Sequence, residues 1–321
     1  MKEDIILVLR TAAELDAELR AKMSRSSIGN KSNALTNVKK LIGKRIVAGL
    51  LALTPTKVVE SEEYGKTNNL RGNENEEYYV AIDSVDGFNN LGVRSGMFPY
   101  ASMIVAFDGN KKTDKGYKYS DYAYAACLEY TSGRIYYTEK GLGEVEVYNL
   151  SGEKIIGLMQ SEQNNDGIVF TLGVDNVSLD KGRNVGHAST RDGQHVGSEP
   201  GILDAVYTNF STSDTECSVF EYAMVGTKKR IGYVAYGKEH HKLPLLYAFC
   251  KETGQEMVDF EGNSYDDIIY EFSGKNAEVI AGTPQVIDRV MRCINLQRKQ
   301  IRENAESGKN VEVQPTVPDE R

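Results

Sequence analysis

Apolar positions in the first fifty residues recur at helical spacing. Ile5, Ile6, Leu9, Ala12, Ala13 and Leu19 make one stripe, and Val38, Leu41, Ile42, Ile46, Leu50 and Leu53 make another. Two amphipathic helices are therefore expected, separated by the Ser/Asn-rich stretch 24–33 and closed by Pro55. The period then shortens. Residues 57–60 and 78–83 read as strands, with a polar Asn/Gly/Glu-rich loop over 64–77 between them. Residues 101–107, 122–130, 134–138 and 145–149 follow, most of them punctuated by Gly, Asp or Ser, and predict an antiparallel meander. Tyrosine is frequent in these runs. It reads as sheet architecture, with the ring packed and the hydroxyl partnered, and not as a platform for stacked bases.

Beyond a polar stretch at 160–166 the pattern alternates. It runs strand 168–174, helix from about 215 to 225, strand 230–236, helix 243–253, strands 256–259 and 279–281, and helix 284–295. Alternation of this kind predicts an α/β layer, and Gly254 is placed to cap the 243–253 helix. The chain divides on this reading into an α+β subdomain over 1–163, an α/β subdomain over 164–297, and a charged tail over 298–321 with Pro315 and Pro318. The tail is expected to be a frayed helix end followed by disorder.

Composition narrows the classes. The 321 residues carry a net charge of −8 and no long basic block, which argues against a nucleic-acid polymer as partner. Cys127, Cys217, Cys250 and Cys293 are scattered without zinc spacing, so a reducing cytoplasm is the expected setting. No run approaches the ~18 apolar residues of a membrane span, and the acidic start lacks the apolar core of a signal peptide.

The candidate chemistry sits in Ala81-Ile82-Asp83-Ser84-Val85-Asp86-Gly87-Phe88-Asn89-Asn90. A strand ending in Asp-x-x-Asp-Gly can aim two carboxylates at one hard cation, and the glycine can turn backbone N–H groups toward an anion. Upstream, Glu62-Glu63 closes the preceding short strand. If the two strands end side by side, Glu62, Asp83 and Asp86 come within a few ångströms, where a cation would relieve their repulsion. The alternative reading makes each a solvated loop acid.

These motifs resemble the inositol monophosphatase family, within the lithium-sensitive phosphatase group that includes fructose-1,6-bisphosphatases and bisphosphate nucleotidases. Glu62-Glu63 stands 21 positions before Asp83, and Asp83 to Asn90 is similar to that family's Asp-Pro-hydrophobic-Asp-Gly-Thr/Ser-x-Asn. The closing segments Gly254–Gly262 and Val279–Thr283 are similar to its C-terminal ones, so the resemblance spans nearly the whole chain. It implies a layered αβαβα sandwich and often a homodimer. It also implies Mg²⁺ chemistry on a small phosphomonoester. Glu62, Asp83 and the Val85 carbonyl would hold one ion, and Asp83 and Asp86 would share a second. Glu63 would stand behind them and assist catalysis with Glu62 and Asp83. Backbone N–H groups at Gly87, Phe88 and Asn89 would hold the phosphate.

Four positions depart from that pattern. Phe88 replaces a water-orienting hydroxyl with a phenyl ring, which offers no donor or acceptor. Lys242, twelve residues before Gly254, stands where the family has the Asp that completes the second metal site; shifting the alignment by three would bring Glu239 there instead. Lys39 stands in the second helix where an acid is expected. Ala235 stands where inositol-specific members have Glu. Pro244 supports a helix start beside Lys242, and the bland reading of Lys242 is a surface lysine at that helix end. His187, His195, His240 and His241 show no ligand spacing and read as loop residues. The Gly/His/Ser-rich stretch 186–201 and Lys228-Lys229-Arg230 read as a long loop and a solvated turn.

Two functions follow. One is a Mg²⁺-dependent phosphatase acting on a sugar or nucleotide phosphate with one ion instead of two or three, Lys242 replacing the second. The other is a lapsed homologue that binds an anionic ligand or partner without turnover. A subunit with a purely structural role is the third and dullest reading.

Overall fold

A computed structural model describes residues 1–25, 31–68, 77–92, 98–155, 171–175, 206, 211–213, 215, 217–273 and 277–307. The predicted boundary at 160–166, the loop 186–201, His187 and His195, and the tail beyond 307 lie outside the described residues.

The two N-terminal stripes are helices α1 (Lys2–Arg25) and α2 (Lys31–Leu53). They pack side by side on one face of a seven-stranded sheet, with Ile5, Val8, Leu9, Ile42, Ile46 and Leu50 buried against Val80, Ile82 and Ile104. The sheet contains β1 (Thr56–Ser61), β2 (Gly65–Asn68), β3 (Tyr78–Asp86), β4 (Ala101–Asp108), β6 (Tyr122–Glu129), β7 (Arg134–Glu139) and β8 (Glu146–Tyr148). Its order is β2-β1-β3-β4-β6-β7-β8; the last four form the expected meander, and β3 pairs antiparallel with the first of them. The reading of 64–77 as loop is corrected at its start. Lys66 and Thr67 extend an edge strand that pairs antiparallel with β1, because the turn at Ser61–Gly65 folds the chain back and satisfies the open edge of β1.

A second sheet, ordered β10-β9-β11-β14-β12, contains β9 (Thr171–Asp175), β10 (Ser211–Ser213), β11 (Gly232–Lys238), β12 (Glu256–Val258) and β14 (Ala277–Gly282). The short strands β5 (Tyr117–Lys118) and β13 (Ile269–Tyr270) pair beside them. Helices α4 (Ser218–Gly226) and α5 (Leu243–Glu252) fill the space between the sheets. Val219, Tyr222, Leu246 and Phe249 touch one interior shared by Met103, Phe107 and Cys127 of the first sheet and by Tyr233, Val279 and Ala281 of the second. Helix α6 (Pro284–Ser307) covers the outer face of the second sheet through Ile287, Val290 and Ile294. The layers therefore run αβαβα. Helix α6 continues past the predicted end at 295, because Ile294 and Gln297 are still buried there and Arg298 donates to the Phe260 carbonyl at 3.1 Å.

Tyrosines line the interior as expected. Tyr79 stacks on Tyr117 at 5.1 Å, and Phe107 on Tyr270 at 4.7 Å. Gly254 ends α5 at φ +70°, with the Gln255 N–H bonded to the Cys250 carbonyl at 2.8 Å. All four cysteines are free and buried. No helix among the described residues is long and apolar enough to cross a membrane.

Candidate functional site

The site forms where β1 and β3 end together. The two strands are parallel neighbours, with Ser61 opposite Ile82, so Glu62 and Glu63 leave β1 beside Asp83. In a regular strand, residues three apart point to opposite faces. Here the register against β4 slips between Asp83 (opposite Met103) and Asp86 (opposite Ala101), which puts one extra residue into β3. That bulge turns both carboxylates to the same side. Gly87 follows at φ +74°, and a Cβ there would meet Cys217 Cβ at 2.9 Å and the Pro99 carbonyl at 3.0 Å, so only glycine fits.

Each carboxylate already has cationic company. Lys242 Nζ lies 2.9 Å from Asp86 Oδ1, 3.5 Å from Asp83 Oδ2 and 3.3 Å from Glu239 Oε2. Lys39, reaching over from α2, puts its Nζ 2.7 Å from Glu62 Oε2, 3.0 Å from Glu63 Oε1 and 3.8 Å from Asp83 Oδ1. The other oxygen of Asp86 accepts from the Val219 N–H at 2.9 Å and the Ser218 hydroxyl at 3.0 Å. Asp86 thus satisfies the first turn of α4, a role that Cys217 at the N-cap does not fill. Glu63 accepts the Ser84 hydroxyl at 2.6 Å. Helix α2 comes close enough to bring Lys39 in because residue 43 is glycine; a Cβ there would lie 2.3 Å from Ser84 Oγ.

Burial would push both aspartates up and both lysines down. Burial is the largest single influence on each aspartate, but Lys242, together with His241 and Lys39 at Asp83 and with Lys238 and the Val219 N–H at Asp86, outweighs it and holds both carboxyls below the ordinary range. The facing carboxylates raise Lys242 and Lys39 above the ordinary ammonium value. All four groups are therefore ionised at neutral pH. The cluster is still not neutral. Glu62, Glu63, Asp83, Asp86 and Glu239 are five carboxylates, and even with Lys238, whose charge also acts on Asp86, the ammoniums number three.

The remaining predicted residues fall as follows. Val85 is buried in the core beneath the helix pair, and Phe88 is partly buried and packs against the same core. Asn89 lies in the short helix α3 (Phe88–Gly92). Ala235 is in mid-strand, paired with Val279, in the inter-sheet interior. Lys242 opens α5, with Pro244 in the first turn. The reading of Lys242 as a surface residue is corrected, since its side chain is only 13% exposed and points at Asp86. Lys228 to Arg230 form the turn after α4, with Arg230 paired to Glu221.

Sequence reasoning missed His241. It immediately precedes Lys242 and is buried, with its ring stacked on Phe272 at 5.3 Å. A ligand atom each from Glu62, Asp83 and His241 lies within 4.8 Å of the other two. The available signal was adjacency to Lys242, hidden because a histidine's partners here come from strands more than 150 residues away. Ser84 and Ser218 were also missed. Ser84 was readable as a departure, since it stands where the resembling motif has proline.

No family model matches the chain, and no curated protein matches its sequence. Solved structures do match. The extragenic suppressor protein SuhB from Bartonella henselae superimposes with a TM-score of 0.61 at 12% identity, over 92% of this chain and 98% of that one. The chain has the inositol monophosphatase fold. Inositol monophosphatase II from Staphylococcus aureus MSSA476 gives a TM-score of 0.59 at 14% identity, over 88% and 91% of the two chains. Fructose-1,6-bisphosphatase from Leishmania major in its holo form gives 0.63 at 14%, over 91% and 93%. At such identities the shared property is the fold, and what this chain's site does rests on its own residues.

The donor set fits Mg²⁺ poorly. That ion wants near-octahedral oxygen ligation at close range, whereas one Asp86 oxygen holds an ammonium and the other holds the start of α4. Glu62 and Glu63 share a second ammonium.

Proposed function

We propose that this protein is a phosphatase-fold protein that has exchanged metal-dependent hydrolysis for binding of a small anionic, phosphorylated ligand. The observation that carries this reading is the contact of Lys242 Nζ with Asp86 at 2.9 Å, combined with the use of the other Asp86 oxygen by Ser218 and Val219. A carboxylate held on one oxygen by an ammonium and on the other by the start of α4 offers a second Mg²⁺ neither a free oxygen nor an unanswered charge. An ammonium can neutralise it but cannot bring a bound hydroxide to the phosphorus. Phe88 points the same way. Its ring packs on the helix-pair core where a hydroxyl would have oriented water, and losing a positioned nucleophile forfeits several powers of ten in rate. The ligand class is inferred from the fold, and Lys39 and Lys242 are the ammoniums that would meet a phosphate once the excess carboxylate charge is met.

A second reading, a one-ion hydrolase, is favoured by the closeness of Glu62, Asp83 and His241. The deciding experiment is a hydrolysis panel of sugar and nucleotide phosphates at millimolar Mg²⁺. The wild type is expected at background, with measurable turnover only in Phe88→Thr/Lys242→Asp. Wild-type turnover abolished by Asp83→Asn would reject the binding reading in favour of the one-ion hydrolase.

A further inference from the structure

We infer that Glu62, Asp83 and His241 form a site for one zinc-class transition ion, distinct in chemistry from a Mg²⁺ site. The inference rests on the reading above only in that lysines have taken the positions a pair of hard cations would need.

Three observations converge on this corner. His241 is 5% exposed, and its Nε2 has no hydrogen-bond partner among the described residues. Two carboxylate oxygens face it, Asp83 Oδ2 at 3.7 Å and Glu239 Oε2 at 4.0 Å, both too far for a hydrogen bond, and Asp83 Oδ2 also has no hydrogen-bond partner among the described residues. Lys242 Nζ, at 3.5 Å, answers the charge of Asp83 Oδ2 without hydrogen-bonding it, while the buried imidazole nitrogen that faces it is left desolvated and unbonded, a cost that a shared ion would remove. Glu62, the third member, is 46% exposed at its side chain and opens the site to solvent. The surrounding charge also points to a cation, because the five carboxylates outnumber the three ammoniums around them.

The donor types choose the ion. Zinc takes His nitrogen and Asp/Glu oxygen as donors, and its open sites use three protein ligands and leave one position free; an imidazole and two carboxylates supply donors of those types. Such a site needs only three protein donors where Mg²⁺ completes six oxygens, and Glu62, one of whose oxygens is held by Lys39 at 2.7 Å, has a second oxygen to give the ion. Nitrogen ligation also favours the later first-row ions over Mg²⁺. The Phe272 ring stacked on His241 at 5.3 Å holds the imidazole plane.

The test uses Zn²⁺ alone with the full chain, by equilibrium dialysis and calorimetry, and Co²⁺ as a spectroscopic stand-in. One Zn²⁺ per chain is expected, undisturbed by millimolar Mg²⁺, with a visible Co²⁺ spectrum of low-coordinate type. His241→Phe, which keeps a ring for the Phe272 stack, should weaken Zn²⁺ binding by roughly tenfold or more and abolish the Co²⁺ bands. His241→Gln serves as a second variant should the larger ring disturb folding, which circular dichroism reports. Absence of stoichiometric Zn²⁺, Zn²⁺ binding undiminished in both variants, or displacement of Zn²⁺ by Mg²⁺ would each overturn the inference. Mg²⁺-driven phosphate hydrolysis by the wild type would instead sink the binding function and leave the zinc measurements to be judged separately.

Discussion

Two clusters among the described residues join lysines to buried carboxylates, and they differ in whether the cluster closes. At the edge of the first sheet, Glu146 receives Lys2 at 3.1 Å, the Tyr148 hydroxyl at 2.6 Å and Lys154 at 2.8 Å, while Lys154 also holds Glu144 at 2.7 Å. Two ammoniums meet two carboxylates, and neither Glu146 oxygen lacks a donor. At the end of β3 the same residue types leave surplus negative charge, two buried carboxylate oxygens without a hydrogen bond among the described residues, Glu63 Oε1 and Asp83 Oδ2, and one imidazole nitrogen facing the second of them. The first is a structural cluster, complete in itself. The second is complete at Asp86 and incomplete at Asp83. What a cluster leaves unpaired tells more about binding than how many charges it holds.

Removing one partner from each cluster sharpens that contrast. Lys242→Met leaves Asp86 and Asp83 buried with their main counter-charge gone, and should cost about 3–5 kcal/mol in urea unfolding. Added divalent cation should restore part of the loss, because an ion can then take the vacated place. A loss below about 1 kcal/mol would mean that the pair does not hold the site together.

At the closed cluster the expected effect is smaller and has a defined pH course. Burial tends to raise the Glu146 carboxyl, but the hydrogen bonds from Lys154, Tyr148 and Lys2 outweigh it and bring it down to about 2. Its folded value lies below its unfolded one of about 4.3. Its contribution is therefore present above that unfolded value and is lost as pH falls toward about 2. Glu146→Gln should destabilise by about 2 kcal/mol at pH 7. The gap from wild type should close between about pH 4 and pH 2, followed by denaturant titration. A gap that persists at pH 2 would show that Glu146 acts through packing and not through its charge.

The smallest effect is expected at Ser84, whose hydroxyl ties Glu63 in place at 2.6 Å. Ser84→Ala should cost about 1 kcal/mol, the usual size of one lost hydrogen bond. It should leave the Glu146 cluster untouched, which nuclear magnetic resonance of the Tyr148 and Lys154 signals can verify. Perturbation there would mean that the two clusters are coupled through the sheet.

Much of the architecture was legible because it is written in local periodicity. The two apolar stripes became α1 and α2, the short β-rich runs became the meander, and Pro244 and Gly254 marked the ends of α5 through their own backbone constraints. The hairpin partner β2 was not legible. Its Gly-Lys-Thr-Asn sequence has a single strand-favouring residue, Thr67, and is held by the edge it covers.

The chain by itself determined the residue types of the candidate site, Glu62 and Glu63, Asp83 and Asp86, with lysines at 39 and 242 where acids were expected. Side-chain chemistry and spacing along one strand are local properties. Only the tertiary structure decided what those groups do to one another. The bulge in β3 turned two aspartates to one side, α2 and the start of α5 delivered the lysines to them, the start of α4 engaged Asp86, and His241 was left facing Asp83. Charge balance and hydrogen-bond closure depend on distances of a few ångströms between segments that lie up to 200 residues apart, and no pattern along the sequence encodes them.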